Sequence, residues 1–146
     1  MSLDNLLKIG QLKAHPADRG EIQKLLAAAA RNLADAGNTA ISLETRFDCA
    51  YKIIMQSALA TLMANGYRPS THVPGHQMTT IQSLAHTIKL NANRMVILDT
   101  LRKKRNLNDY IGADLDVVST RACVAEATRL LKEVRAWLKA HRPELA

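Results

Sequence analysis

Cysteine, aromatic residues and long apolar runs are scarce in this chain, and each shortage excludes a class of protein. Two cysteines, Cys49 and Cys123, are too few for a disulfide framework or a clustered zinc site, so we expect two small buried side chains. Aromatic residues make up 3% of the chain, too little for a stacking platform that binds single strands. With no apolar run of about 18 residues and no signal-peptide pattern, we expect a cytoplasmic protein that does not contact membranes.

Glycine-rich and metal-binding motifs are also lacking. The six glycines are scattered, so no phosphate-binding loop is predicted. His72 and His76 have the spacing of a helical metal pair, but Pro74 and Gly75 between them make a helix improbable there. Neither cysteine nor serine has the partners of a nucleophilic triad. We therefore predict no metal and no cofactor.

What the chain does contain is alanine, leucine and positive charge. Its 146 residues are 47% hydrophobic and carry a formal net charge of +7. A chain of this length buries one core. It contains few of the β-branched or aromatic runs that favour strands. The positive charge permits long-range attraction to phosphates, although many basic proteins bind no nucleic acid. The sequence thus predicts one all-α domain over residues 1–146.

Apolar residues at three- and four-residue spacing predict four main helices and a shorter one. The predicted helices run from Asp18 to Gly37, Ser42 to Gly66, Ala92 to Leu107 and Asp114 to just before Pro143, with the short one from His76 to Leu90. The segment 67–75 is predicted to be a surface loop, and residues 1–16 either a docked turn or a flexible arm. Because the connections are short, we expect an antiparallel up-and-down four-helix bundle with a short extra helix.

The segment from Arg102 to Tyr110 carries the functional signal. The apolar stripe through Leu98 and Leu101 reaches Arg105 after four more residues, so a guanidinium is expected at the edge of the core. Such a group needs partners once it is desolvated. Asn106 lies near the same face, and Tyr110 follows in a predicted turn. These groups are expected to converge on a pocket.

Two interpretations of this segment remain open. In the first, Arg105 pairs with Asp109 or Asp114 and Tyr110 caps the core by a hydrogen bond, as basic runs at helix ends often serve the helix dipole. In the second, the segment forms a cationic cleft for phosphate, which arginine binds with two parallel hydrogen bonds. The phosphate-binding residues would then be Arg102, Lys103, Lys104 and Arg105.

The stretch Arg105-Asn106-x-x-Asp109-Tyr110 resembles the signature of the HEPN superfamily of small helical bundles. Other features occur in the order expected of that family over roughly residues 20–140. They are Arg46, Ala50 and Tyr51 in the second helix, the stop at Gly66, and the approach from Thr71 to His76. The Arg-Asn motif is the specific part of the resemblance.

The resemblance implies a homodimer in which two motifs pair across a cleft. In the ribonucleases of the HEPN superfamily, it implies that an arginine and a histidine cleave RNA without a metal ion. The corresponding residues here are Arg105 and Asn106, with Tyr110 where the histidine would stand. Tyrosine, with a pKa near 10, is a poor general base at neutral pH. The wide apolar stripe of the last helix could fill the core, or part of it could lie in the interface of such a homodimer.

The leading hypothesis from the sequence is a HEPN-like protein that binds a nucleotide or an RNA phosphate within a toxin-antitoxin or defence module. One alternative is a metal-independent endoribonuclease of the same fold, in which Arg105, Asn106 and Tyr110 are catalytic. Another is a ligand-free interaction module that pairs with a nucleotidyltransferase-like protein. The resemblance implies the HEPN-like character, the module and both alternatives, and the residues themselves favour binding over catalysis.

Overall fold

The computed structural model describes residues 2–146 and is built mainly of helices, which confirms the predicted all-α bundle. Its elements are α1 Leu3–Lys8, β1 Leu12–Ala14, α2 Arg19–Ala36, α3 Leu43–Ala64, β2 Tyr67–Pro69, α4 His76–Gln82, α5 Leu84–Thr87, α6 Ala92–Ile111 and α7 Val117–His141. Among residues 2–146, none of the helices has the length and apolarity that crossing a membrane requires.

Helix α3 forms the centre of the core, packed between α2 and α7. Its N-cap Ser42 accepts a hydrogen bond from the Thr45 amide, which satisfies one of the free N–H groups at the helix start. Along α3 the core face carries Phe47, Ile54 and Ala58, none of which has exposed surface. Small alanines on this helix let its neighbours approach closely, so α3 is largely enclosed. A polar side chain on α3 is therefore held in a fixed position relative to the neighbouring helices.

The N-terminal segment is held against the bundle at residues 12–14. Strand β1 pairs antiparallel with β2, with Leu12 opposite Pro69, and the side chain of Leu12 is 2% exposed. The expectation of a surface loop over 67–75 was therefore wrong for its first three residues. The pairing joins segments more than 50 residues apart, and local periodicity carries no signal for such a contact.

The short helix predicted from His76 to Leu90 is divided at Ser83 into α4 and α5. The Thr80 hydroxyl donates to the His76 carbonyl, and the Ser83 hydroxyl donates to the Thr80 carbonyl. Such hydrogen bonds from side chains to the backbone compete with regular helix geometry. Lys89, with a φ of 56°, then turns the chain away from α5. His76 is the first residue of α4, where the predicted helix also begins, and α4 packs against α3.

Helix α6 extends one turn beyond its predicted end at Leu107. It ends at Ile111, where Gly112 adopts the left-handed conformation with a φ of 67°, as helix ends favour. The next helix starts later than predicted, because Asp116 rather than Asp114 caps it by accepting from the Ser119 amide. Tyr110 thus belongs to a helix and not to a turn.

Candidate functional site

The inner face of α6 carries an arginine where the apolar stripe ends, as the sequence predicts. Leu98 and Leu101 are buried, and one turn later the side chain of Arg105 is 22% exposed. Its guanidinium carbon lies 4.9 Å from the centre of the Tyr51 ring on α3. This cation–π contact fixes the guanidinium at the junction of α3 and α6.

Two carboxylates neutralise Arg105, one from each side. Its Nε lies 3.4 Å from Oδ1 of Asp48 on α3, and its Nη1 lies 3.3 Å from Oδ2 of Asp109 on its own helix. The pair with Asp109 is one of the two partners expected from the sequence. Both Arg105 Nε and Asp48 Oδ1 are buried without a hydrogen bond, so their attraction is purely Coulombic. Arg105 therefore retains an unused donor, which is costly to bury.

A shallow pocket of about 240 Å³ opens beside this arginine. It is lined by Tyr51, Lys52, Met55, Gln56, His76, Gln77 and Arg105. The Tyr51 hydroxyl donates to Oε1 of Gln77 at 2.8 Å, which leaves the Gln77 amide nitrogen as a donor on the pocket wall. Arg105 and Lys52 supply positive charge, so the pocket is suited to an anion with several acceptor oxygens.

Tyr51 serves this pocket as a neutral hydrogen-bond donor. Burial raises the pKa of Tyr51 to about 12, although the nearby charges of Arg105 and Arg102 pull it down. The hydroxyl therefore keeps its proton throughout the physiological range and orients Gln77. It does not act as a base.

The other basic residues of the predicted cleft do not converge on the pocket. Arg102 is paired with Asp99 at 2.9 Å, and Lys103 contacts the same carboxylate at 3.3 Å. Lys104 donates to the Ser119 hydroxyl at 2.8 Å. Of the four residues predicted to bind phosphate, the structure places Arg105 in the pocket and gives the other three to partners on α6 and α7.

Asn106 and Tyr110, predicted to act with Arg105, lie on other faces of α6. At about 100° per residue, Asn106 is about 100° and Tyr110 about 140° around the helix from Arg105. The Tyr110 side chain is 84% exposed and does not cap the core. The expected convergence of the three side chains was wrong, because α6 continues as a helix through Tyr110.

The pocket residues that come from α3 and α4 were not predicted from the sequence as parts of one site. Asp48 and Tyr51 are three residues apart on α3 and so lie on neighbouring positions of one face, and this spacing was the available signal. His76 was considered only as a metal ligand with His72, yet it lines the same pocket as Arg105. These residues reach Arg105 only through the packing of three separate helices.

Over residues 2–146, no group of three or more His, Cys, Asp or Glu side chains is placed to hold a metal ion. Burial raises the pKa of the Cys123 thiol to about 12, and burial also raises that of Cys49. Cys123 is fully buried and Cys49 only partly, so the expectation of two buried side chains holds for one of them. Both thiols stay protonated at neutral pH and are poor nucleophiles.

The resemblance to the HEPN superfamily rests on the residues of this chain alone. Its specific element is the segment from Arg105 to Tyr110 on α6. Comparison with protein-family models, with curated proteins and with solved structures finds no match for this chain.

Proposed function

We propose that this protein is a cytoplasmic, HEPN-like binding protein that holds the phosphate of a nucleotide or RNA in the Arg105 pocket. It would act as a homodimer within a toxin-antitoxin or defence module. The observation that supports the proposal is the guanidinium of Arg105, which belongs to a side chain that is 22% exposed and lines the pocket. A phosphate oxygen would accept from the exposed edge of this guanidinium, while the buried Nε stays beside Asp48.

Asp48 and Asp109 offset the charge of Arg105, so an anion in this pocket depends on further donors around the arginine. Several donors together favour a ligand that carries several acceptor oxygens. A phosphate offers a geometry that matches the arginine fork, and Lys52 and the Gln77 amide stand on the same wall. The net charge of +7 raises the local concentration of such anions.

A larger cavity of about 350 Å³ between α2 and α7 is a weaker site for a phosphate. Two of its three polar side chains, Gln23 and Arg135, already serve the protein's own backbone. The Gln23 amide donates to the Leu145 carbonyl at 2.9 Å, and Arg135 donates to the Leu26 carbonyl at 3.4 Å. The Arg105 pocket is preferred because its donors are not used in this way.

Replacing Arg105 with alanine is expected to weaken phosphate binding by about 10- to 100-fold, the usual value of hydrogen bonds to a charged group. Titration calorimetry with inorganic phosphate, with adenosine triphosphate and with a short RNA would measure the loss, and circular dichroism would show that the helices remain. Arg105→Lys should recover part of the affinity, because it restores the charge without the planar fork.

Arg31→Ala is the matched control, since it removes an exposed arginine of α2 and changes the net charge equally. Its affinity should remain close to that of the unmodified protein. If Arg105→Ala binds phosphate, nucleotide and RNA as tightly as the Arg31→Ala control, the proposal is wrong. Absence of binding by the unmodified protein would contradict it equally.

A second candidate function is a metal-independent endoribonuclease, and the position of His76 favours it. Histidine is the residue type that exchanges protons near neutral pH, which tyrosine does not. His76 lines the same pocket as Arg105, whereas Tyr110 is exposed on another face. In this reaction His76 would accept the proton of a ribose 2′-hydroxyl. The 2′-oxygen would bond to phosphorus as the 5′-oxygen leaves and takes a proton from water.

Incubation of the purified protein with RNA in the presence of EDTA tests this candidate. Cleavage should occur, and it should fall by at least about 100-fold in His76→Ala, the usual contribution of a general base. His72→Ala removes a histidine from the segment before α4 and should cut at the original rate. RNA that stays intact at high protein concentration would exclude the nuclease and leave the binding function standing.

A further inference from the structure

The outer face of α6 ends in a cluster of exposed apolar side chains. Leu107 is 52% exposed, Tyr110 84% and Ile111 72%. The first turn of α7 adds Val117, 46% exposed, and Val118, 78% exposed. We call these five residues the apolar end patch. They lie at one end of the bundle because only five residues connect α6 to α7.

The patch is not explained by the fold of a single chain. Val117 is the first residue of α7, and its side chain is exposed instead of joining the buried stripe of that helix. Isolated exposed apolar residues are common on protein surfaces, whereas adjacent ones in this number mark an interaction surface. Tyr110 is the type of large aromatic residue that anchors such surfaces.

The charges along the patch are arranged with opposite signs at its two ends. Lys103, 67% exposed, lies one turn before Leu107 on the same face of α6, and its ammonium group also contacts Asp99 on its own helix at 3.3 Å. Asp114 and Asp116 are exposed in the connection that follows Ile111. A two-fold axis through the patch would bring the basic end of each copy to the acidic end of the other. A uniformly acidic or basic partner would instead meet one end with like charge.

We propose that the apolar end patch is the surface through which two copies of this chain associate, with their α6 helices antiparallel about a two-fold axis between Leu107 and Tyr110. In this pairing Lys103 of each copy lies against the partner's Asp114. The inference rests on the homodimer in the proposed function and does not depend on the Arg105 pocket.

This pairing changes the role of Tyr110 and the position of the pockets. Tyr110 becomes an interface anchor instead of a group that works with Arg105. On α6, Arg105 is turned about 140° from Tyr110 and about 160° from Leu107. Each copy therefore keeps its own pocket, open on the side of α6 away from the contact. The HEPN resemblance, in contrast, implies motifs that face each other across the dimer.

Sedimentation equilibrium over protein concentrations up to about 1 mM measures this contact. Tyr110→Glu should raise the dimer dissociation constant by at least about 30-fold, as expected for a central aromatic anchor. Ile9→Glu is the matched control, because Ile9 is 58% exposed and lies in the N-terminal arm. It should dimerise as the unmodified protein does. A monomer at every concentration, or Tyr110→Glu dimers of unchanged affinity, would overturn the proposal.

A charge exchange tests whether the partner is a second copy in this orientation. Lys103→Asp alone should weaken the dimer, and the double variant Lys103→Asp with Asp114→Lys should restore it by inverting both ends. A double variant that stays dissociated overturns the antiparallel pairing. Phosphate binding by Tyr110→Glu should equal that of the unmodified protein. A dimer that binds no phosphate would contradict the proposed function and leave this inference supported.

Discussion

Replacing Arg94 with alanine is expected to lower the free energy of unfolding by about 3–5 kcal/mol, the cost of removing one partner from a buried ion pair. Arg94 lies in the first turn of α6 and is 4% exposed. Its Nη1 is 2.5 Å from Glu133, and its Nε and Nη2 are 3.2 and 3.1 Å from the same oxygen of Glu126, both on α7. The change leaves Glu126, 15% exposed, as a desolvated charge without its partner.

Urea denaturation measures this effect, and Arg129→Ala is the matched control. Arg129 is 62% exposed and contacts Glu133 at 3.6 Å, so its removal should cost no more than about 1 kcal/mol. The double variant Arg94→Met with Glu126→Leu should recover most of the loss, because apolar groups of similar volume replace a buried pair at little cost. An Arg94→Ala protein as stable as the Arg129→Ala protein would show that α6 does not depend on this cluster.

Replacing Phe47 with alanine should cost about 3–5 kcal/mol, the usual range for truncating a buried phenylalanine. Phe47 has no exposed surface and is among the largest fully enclosed side chains of the core. It lies one turn before Tyr51 on the same face of α3, so the cavity left behind would adjoin the residue whose ring contacts Arg105. We expect phosphate affinity to fall together with stability, since Tyr51 would lose its rigid support.

Phe47→Leu keeps this prediction measurable, because domains of this size are stable by only about 5–15 kcal/mol and the alanine variant is partly unfolded at the low end. The leucine variant should lose less than half as much stability. Met78→Ala removes a side chain that is 38% exposed on α4 and should cost about 1 kcal/mol or less. Equal midpoints in urea for the Phe47 and Met78 variants would refute the central position of Phe47.

Features that depend on neighbouring residues were well predicted from the sequence. The four long helices, the cap at Ser42 and the arrival of an apolar stripe at Arg105 follow from spacings of three and four residues. So does the pair between Arg105 and Asp109, which lie one turn apart. Helix boundaries were less accurate. The end of α6 shifted by one turn, which was enough to turn Tyr110 away from the pocket.

Features that join distant segments were not predicted. Arg94 gave no signal of burial, because arginine is usually exposed and its two glutamate partners lie more than 30 residues further along the chain. The short sheet between β1 and β2 was missed for the same reason. The exposure of Val117, and with it the apolar end patch, likewise became visible only in the structure.

The sequence by itself determined that this chain is a helical bundle and that an arginine stands where the stripe of α6 leaves the core, because both depend on local periodicity. The tertiary structure decided which groups surround that arginine. Asp48 and Tyr51 come from α3 and His76 and Gln77 from α4, and these helices meet α6 only in the packed bundle. The side chains that form a pocket are selected by packing between helices, which spacing along one helix does not encode.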